Sequence, residues 1–121
     1  MPSLNYKAQF AIMVELLEKR CTIRAKRKRP IKPGDMLYHF TGMRTAHCRK
    51  LGSSICKSVT PIRITRDKRS GCRYVRLDGE LLTQDEVNQL AIMDGFPHAH
   101  SFLNFFSETH SLPFVGDLYT W

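Results

Sequence analysis

Phosphate binding is the first chemistry this chain suggests. Eighteen of its nineteen Lys and Arg residues fall between Lys19 and Arg76, against only two carboxylates, Asp35 and Asp67, which gives that stretch a formal +16. The rest of the chain sets one base, Lys7, against nine carboxylates, a formal −8. A block this lopsided creates a strong local field that asks for a polyanion, and nucleic acid is the commonest, because its phosphates release counterions when bases neutralise them. Some bases sit in the run Lys26-Arg27-Lys28-Arg29, and others alternate with apolar residues in Ile62-Arg63-Ile64-Thr65-Arg66 and Arg73-Tyr74-Val75-Arg76. Antiparallel pairing of such segments gathers their bases on one sheet face. The expected phosphate contacts are Arg24, Lys26, Arg27, Lys28, Arg29, Arg44, Arg49, Lys50, Arg63, Arg66, Arg73 and Arg76, with Tyr38 and Tyr74 as surfaces for base stacking. Phe40, in the same half, is assigned to the core. RNA is the expected partner, and an acidic protein surface would answer the same field.

Other reactive pairings are weaker. His47-Cys48 lies between Arg44 and Arg49, whose charges favour a thiolate, but adjacent side chains rarely face each other and no third group orients them. On a helix His98 and His100 would point to different sides. None of Cys21, Cys48, Cys56 and Cys72 forms a C-x-x-C pair, so zinc is not indicated and free thiols are expected. There is no phosphate-loop, G-x-S-x-G or zinc-protease pattern, and no cofactor is implied. Apolar residues make up 42% of the 121 residues, enough for one folded domain over 1–121 and too many for a disordered basic tail. No apolar run nears the roughly 20 residues of a membrane span. Met1 to Tyr6 lacks the basic and apolar regions of a secretory signal, so a cytoplasmic protein is expected. Oligomeric state is left open.

The pattern that must position these groups is β-α-β-β-β-β-α-α-β. Leu4 to Tyr6 reads as a short strand. Phe10, Met13, Val14 and Leu17 recur at helical spacing over 8–18. Cys21 to Arg24 and Met36 to Thr41 read as strands, with a Pro33-Gly34 turn between them. Gly42 to Gly52 shows no period and reads as a loop or one helical turn. Ile55 to Arg66 reads as one long strand with an edge or bulge at Pro61. Arg73 to Leu77 is a strand closed by an Asp78-Gly79 hairpin turn. Thr83 and Glu86 form a capping box for a helix that buries Val87, Leu90 and Ala91, presents Asp94 on the same face and stops at Gly95. Pro97 suits the first position of a last helix, carrying Phe102, Phe105 and Phe106 inward. Asp117 to Trp121 reads as a final strand. An α+β fold follows, a small mixed β-barrel of five to six strands with two to three flanking helices.

Several of these segments resemble one family. Lys19-Arg20-Cys21-Thr22-Ile23-Arg24 resembles the K-x-x-T-x-R signature after the first helix of ASCH domains. Lys32-Pro33-Gly34-Asp35 resembles that family's step into the next strand. Asp94-Gly95-Phe96, the Phe-rich helix and Tyr119-Thr120-Trp121 fit its tail. Gly42-Met43-Arg44-Thr45 with Cys48 to Leu51 further resembles small bacteriophage-encoded members, which would place the protein in a host cytoplasm and raise a host protein as a partner. The resemblance implies a PUA-like barrel that recognises RNA or a nucleotide-like ligand in a basic cleft. It also implies two alternative activities, amidohydrolysis of N4-acetylcytidine and ribonuclease action. The family's catalytic Lys, Thr and carboxylate correspond to Lys19, Thr22 and Asp94. Two positions depart from its pattern: Leu17 stands where a Gly is often found, and Asp94 replaces a more frequent Glu.

In that hydrolytic reading Thr22 attacks the acyl carbonyl once a base takes its proton. Lys19 is that base, and crowding by Arg20, Arg24 and the 26–29 run favours its neutral amine. Asp94 manages the proton on the leaving amine. Its place at a helix C-terminus, on the apolar face, raises its pKa and suits it to proton transfer.

Overall fold

The computed structural model describes residues 2–121. Eleven elements follow in the order β1 (Ser3–Tyr6), α1 (Ala8–Glu15), β2 (Cys21–Ala25), β3 (Met36–Thr41), β4 (Arg49–Ile55), β5 (Ser58–Arg66), β6 (Arg73–Leu77), β7 (Glu80–Leu81), α2 (Gln84–Met93), α3 (Ala99–Thr109) and β8 (Phe114–Thr120). The class is α+β, with three helices and two sheets. One sheet is mixed, in the order β1-β3-β4, with β1 parallel to β3 and β3 antiparallel to β4. The other runs β2-β8-β5-β6-β7, and each of its pairings is antiparallel. The ladders stay within these two sheets and do not close into the single barrel of five to six strands expected from the pattern.

Of the two extra strands, β7 follows the Asp78–Gly79 turn and β4 comes from the segment whose period is least clear. Gly42 to Gly52 is not a loop throughout: β4 begins at Arg49, exposing Arg49, Lys50, Ser53 and Ile55 and burying Leu51. Only one of its side chains is fully buried, so no apolar period marks it. Nor is Ile55 to Arg66 one strand. Cys56 N donates to Asp35 O beside β3, while the next amide, Lys57 N, donates to Thr120 O at the end of β8. The chain thus changes sheets within one residue, and the alternation of side chains runs across the break. At Pro61 the ladder involves β8 alone, and pairing with β6 starts at Ile62. The missing N–H therefore falls where the strand is locally an edge, as proline requires.

Local chemistry accounts for the remaining boundaries. Asp78 and Gly79 have φ of 53° and 83° and join β6 to β7 as a two-residue turn, the primed geometry that matches strand twist. Thr83 and Glu86 form the reciprocal capping box of α2. Helix α3 begins two residues later than expected, because His98 is its N-cap and accepts from Ser101 N through Nδ1. Pro97 therefore precedes the cap and is not the first helical residue. The last strand starts at Phe114, earlier than the expected Asp117, and ends at Thr120.

Between the sheets and helices lies one core. Leu4, Phe10, Val14, Leu37, Ile62, Ile64, Val75, Leu90, Phe102, Phe106 and Tyr119 are all buried. Phe96 stacks edge-on against Phe10 and Phe102, and Phe106 meets Phe114 at 5.0 Å between ring centroids. Each such side chain contributes about 1.5–3 kcal/mol on burial. Phe105 is half-buried at the margin of this cluster, where a cavity opens. No helix among the described residues is long and apolar enough to cross a membrane.

Candidate functional site

Two helix ends build the site, and they share one design. After α1, Leu17 N donates to Val14 O at 3.1 Å and Glu18 N to Met13 O at 2.8 Å. After α2, Gly95 N donates to Ile92 O at 3.1 Å and Phe96 N to Ala91 O at 2.9 Å. Both are Schellman closures, which need a left-handed residue just past the cap. Gly95 meets this with φ 93°, and Leu17 adopts φ 63°. The first closure reverses the chain so that Lys19 turns inward, and the second holds Asp94 at the cap of α2.

The two side chains meet in the interior. Lys19 Nζ is ion-paired with Asp94 Oδ1 and donates to the Asp94 main-chain oxygen at 2.8 Å. The ammonium thus satisfies a carbonyl at the negative end of α2 as well as the carboxylate. Lys19 is 3% exposed and Asp94 4%, which makes the pairing compulsory, since an unpaired buried charge costs several kcal/mol. Burial pushes the Asp94 carboxyl above its ordinary range, opposed first by the charge and hydrogen bond of Lys19 and then by Arg24.

Strand β2 supplies the next wall. Thr22 and Arg24 lie two apart and share a face. Arg24 Nε donates to Thr22 Oγ1 at 3.0 Å, and the guanidinium lies 4.9 Å from the centroid of the Tyr6 ring. Burial lowers the pKa of Arg24 and raises that of Tyr6. The Tyr6 hydroxyl meets His39 Nδ1 at 2.9 Å, and His39 Nε2 meets Ser54 Oγ at 3.2 Å. With its proton on Nε2 the neutral ring serves both contacts. Burial, then the charge of Arg24, holds His39 down to about 4. Trp121 lies against it at 4.5 Å between ring centroids.

Lys19, Thr22, Arg24 and Asp94 line one cavity of about 280 Å³. Its other walls are aromatic, from Tyr6, Phe10, Phe96, Phe105, Phe106 and His110, and Asn5 and Lys7 stand at its rim. That volume is close to the lower end for small-ligand sites, and polar and apolar residues share the lining about equally, a more polar wall than such sites usually have. Among the described residues Lys19 makes no hydrogen bond to Thr22, and the Thr22 hydroxyl proton has no acceptor. The neighbours weighed for Lys19 in the sequence, Arg20, Arg24 and the 26–29 run, are cations, whereas its partner in the fold is an anion.

The other expected contact residues do not share this cavity. Of the phosphate contacts, Arg24 alone lines it. Lys26 pairs with Asp117 at 2.7 Å, and Arg27, Lys28 and Arg29 are exposed on the loop that follows β2. Arg49 pairs with Glu15, Lys50 lies 5.3 Å from the centroid of the Tyr38 ring, and Arg44 is exposed in the β3–β4 connection. Arg63 and Arg66 line a different cavity. Arg73 donates to Asn104 and Ser107 of α3, while Tyr74 and Arg76 are exposed on β6. All four cysteines are free thiols, and no group of three metal-ligating side chains occurs among the described residues. His98 and His100 do come together, stacked at 6.3 Å, because His98 is outside the helix.

Tyr6, Phe10 and His39 were not singled out from the sequence as site residues. His39 was within reach, since alternation along Met36 to Thr41 puts Leu37 and His39 on the inward face. The link from Arg24 to Thr22 was also within reach, because residues two apart on a strand point the same way. No protein-family model matches this chain, and neither a curated protein nor a solved structure matches it.

Proposed function

We propose that the chain is an ASCH-type domain, an open variant of the PUA-like fold, whose pocket binds a nucleoside-sized ligand. The observation that carries this reading is the convergence of Lys19, Thr22 and Asp94 on one aromatic-walled cavity of about 280 Å³. Asp94 arrives there from 75 residues along the chain from Lys19. A planar base can lie against the aromatic wall, where its polar edge would meet a hydroxyl, an ammonium and a carboxylate.

A second reading, hydrolysis of an N4-acylated cytidine, is favoured by the Arg24–Thr22 hydrogen bond. A guanidinium on Oγ1 stabilises negative charge developing on that oxygen. Burial also pushes Asp94 toward its protonated form, and transfer of a proton from Lys19 to Asp94 leaves an amine base beside a carboxylic acid with no change in net charge. Thr22 Oγ would then attack the acyl carbon while Lys19 takes the hydroxyl proton. Asp94 would protonate N4 as the C–N bond breaks, releasing cytidine, and water would cleave the acyl-threonine ester to free acid. Lys19 Nζ must turn from Asp94 toward Thr22 for the first step, a tightening that ligand-free sites commonly need.

Calorimetric titration with cytidine and N4-acetylcytidine, together with assay of released acetate, tests both readings. Binding by the wild type is expected, with Thr22→Ala binding but not turning over. Absence of binding by either nucleoside overturns the pocket assignment. Binding without turnover leaves a recognition domain and removes the enzyme.

A further inference from the structure

We propose that the outer face of β5 and β6, with the recess at its end, is a separate docking surface for single-stranded nucleic acid. The pairing register defines the face. Arg63 lies directly opposite Arg76, and Thr65 opposite Tyr74. Directly opposed residues point to the same side, so Arg63, Thr65, Tyr74 and Arg76 share the face away from buried Ile62, Ile64 and Val75.

Like charges directly opposite each other destabilise a strand pair, and the fold does nothing to relieve this one. Among the described residues none of Arg63, Arg66, Lys68 or Arg76 is in an ion pair. The two carboxylates within the basic block are spent on their own turns. Asp35 accepts from Lys32 N, and Asp67 accepts from Arg69 N and from Ser70 Oγ. These bases are therefore left free for an anion from outside the chain.

The recess indicates what kind of anion. It measures about 360 Å³ and is lined by Arg63, Arg66, Lys68, Thr65, Ser107 and a Leu112–Pro113 floor, without a carboxylate. Ser107 Oγ is committed within the chain, donating to Leu103 O and accepting from Arg66 and Arg73, which leaves guanidinium, ammonium and the Thr65 hydroxyl as the donor set for phosphate oxygens. Tyr74 adds a second signal. It is 42% exposed, about 7 Å along the strand from Arg76. An exposed aromatic ring set among unpaired bases is a stacking platform for an unpaired nucleotide. A duplex keeps its bases stacked on each other, and an acidic peptide has no base to offer the ring. The surface is independent of the Lys19 pocket.

Fluorescence anisotropy with a short labelled oligouridine, at several salt concentrations, tests this. Arg63→Glu and Tyr74→Ala should each weaken binding by about tenfold, and Arg63→Glu should flatten the salt dependence by about 0.7 in log–log slope for each phosphate that the variant no longer neutralises. Arg63→Glu should also raise Tm, because a carboxylate then faces Arg76. Lys28→Glu, on the exposed loop, should retain wild-type affinity. Failure of the pocket assignment would leave these results unchanged. The proposal is overturned if Arg63→Glu or Tyr74→Ala binds like the wild type, or if Lys28→Glu loses as much as they do. It is equally overturned if Arg63→Glu lowers Tm, or if a duplex or poly-glutamate binds as tightly as the oligouridine.

Discussion

The Lys19 pocket and the β5–β6 face handle positive charge in opposite ways. In the pocket every charge has a partner inside the chain: Lys19 has Asp94, and Arg24 has the Thr22 hydroxyl and the Tyr6 ring. On the face, Arg63 and Arg76 confront each other with no carboxylate between them. The difference follows from solvent. A buried charge must be paired because desolvation costs several kcal/mol, whereas water and salt screen a surface charge whether or not it is paired. Cations without any partner therefore stand outside, where an external anion can reach them. In the pocket Lys19 and Asp94 neutralise one another, while Arg24, held by a hydroxyl and a ring, keeps its positive charge, which suits a polar ligand that is neutral or carries a small negative charge.

The strongest way to break this contrast is to remove one partner inside. Asp94→Ala leaves the Lys19 ammonium buried without its carboxylate, and denaturant unfolding should show a loss of about 3–5 kcal/mol. Lys19→Met should cost less, because burial already pushes Asp94 toward the neutral acid, and the acid can be buried alone. That variant should also acquire a distinctive pH dependence. Its Asp94 has a folded pKa above the unfolded value of about 3.9, so the folded state holds more protons between the two. Stability is then fully present below about pH 4 and is lost as pH rises toward the folded pKa. Equal losses in the two variants, or a flat pH profile in Lys19→Met, would show that the pair is not asymmetric in this way.

Local chemistry was legible in the sequence wherever a few adjacent residues decide the outcome. The Thr83–Glu86 capping box, the Asp78–Gly79 turn and the Gly95 stop all read directly. The meeting of Lys19 with Asp94 depends on tertiary packing, and only the family resemblance brought these two residues together. The break between β4 and β5 left no mark, because a strand that changes sheets at Cys56 keeps its alternation. The basic block read as one feature because charge counting ignores where strands point. In the fold its members divide among the pocket, the loop after β2, the end of the β3–β4 sheet and the β5–β6 face.

Acid sharpens the same contrast between buried and exposed groups. His39 is buried beside the pocket, between Tyr6 and Trp121, and its pKa is held to about 4. In the unfolded chain the ring titrates near 6.5. Below that pH the unfolded state binds more protons, so stability present above about pH 6.5 is lost as pH falls toward 4. Thermal melts across this range should show the decline. His39→Gln should flatten it, while Arg63→Ala, which alters only the exposed face, should leave the slope unchanged. A slope that survives His39→Gln would assign it to other groups.

The smallest expected effect concerns the helix ends that deliver the ion pair. Gly95 and Leu17 occupy equivalent left-handed positions, but a leucine there carries a steric cost that glycine does not. Leu17 is 57% exposed, so little burial is lost on truncation. Leu17→Gly should therefore raise stability by about 0.5–1 kcal/mol, the relief of strain being partly offset by the freer unfolded chain. Gly95→Ala should do the reverse and cost more, because the added Cβ would stand 3.0 Å from a Phe10 ring carbon as well as forcing a strained φ. The chain direction at Lys19 is set by the closing hydrogen bonds, not by the Leu17 side chain, so nucleoside binding should persist in Leu17→Gly. A loss of stability or of binding in that variant would mean that the leucine itself, and not the left-handed turn, holds Lys19 in place.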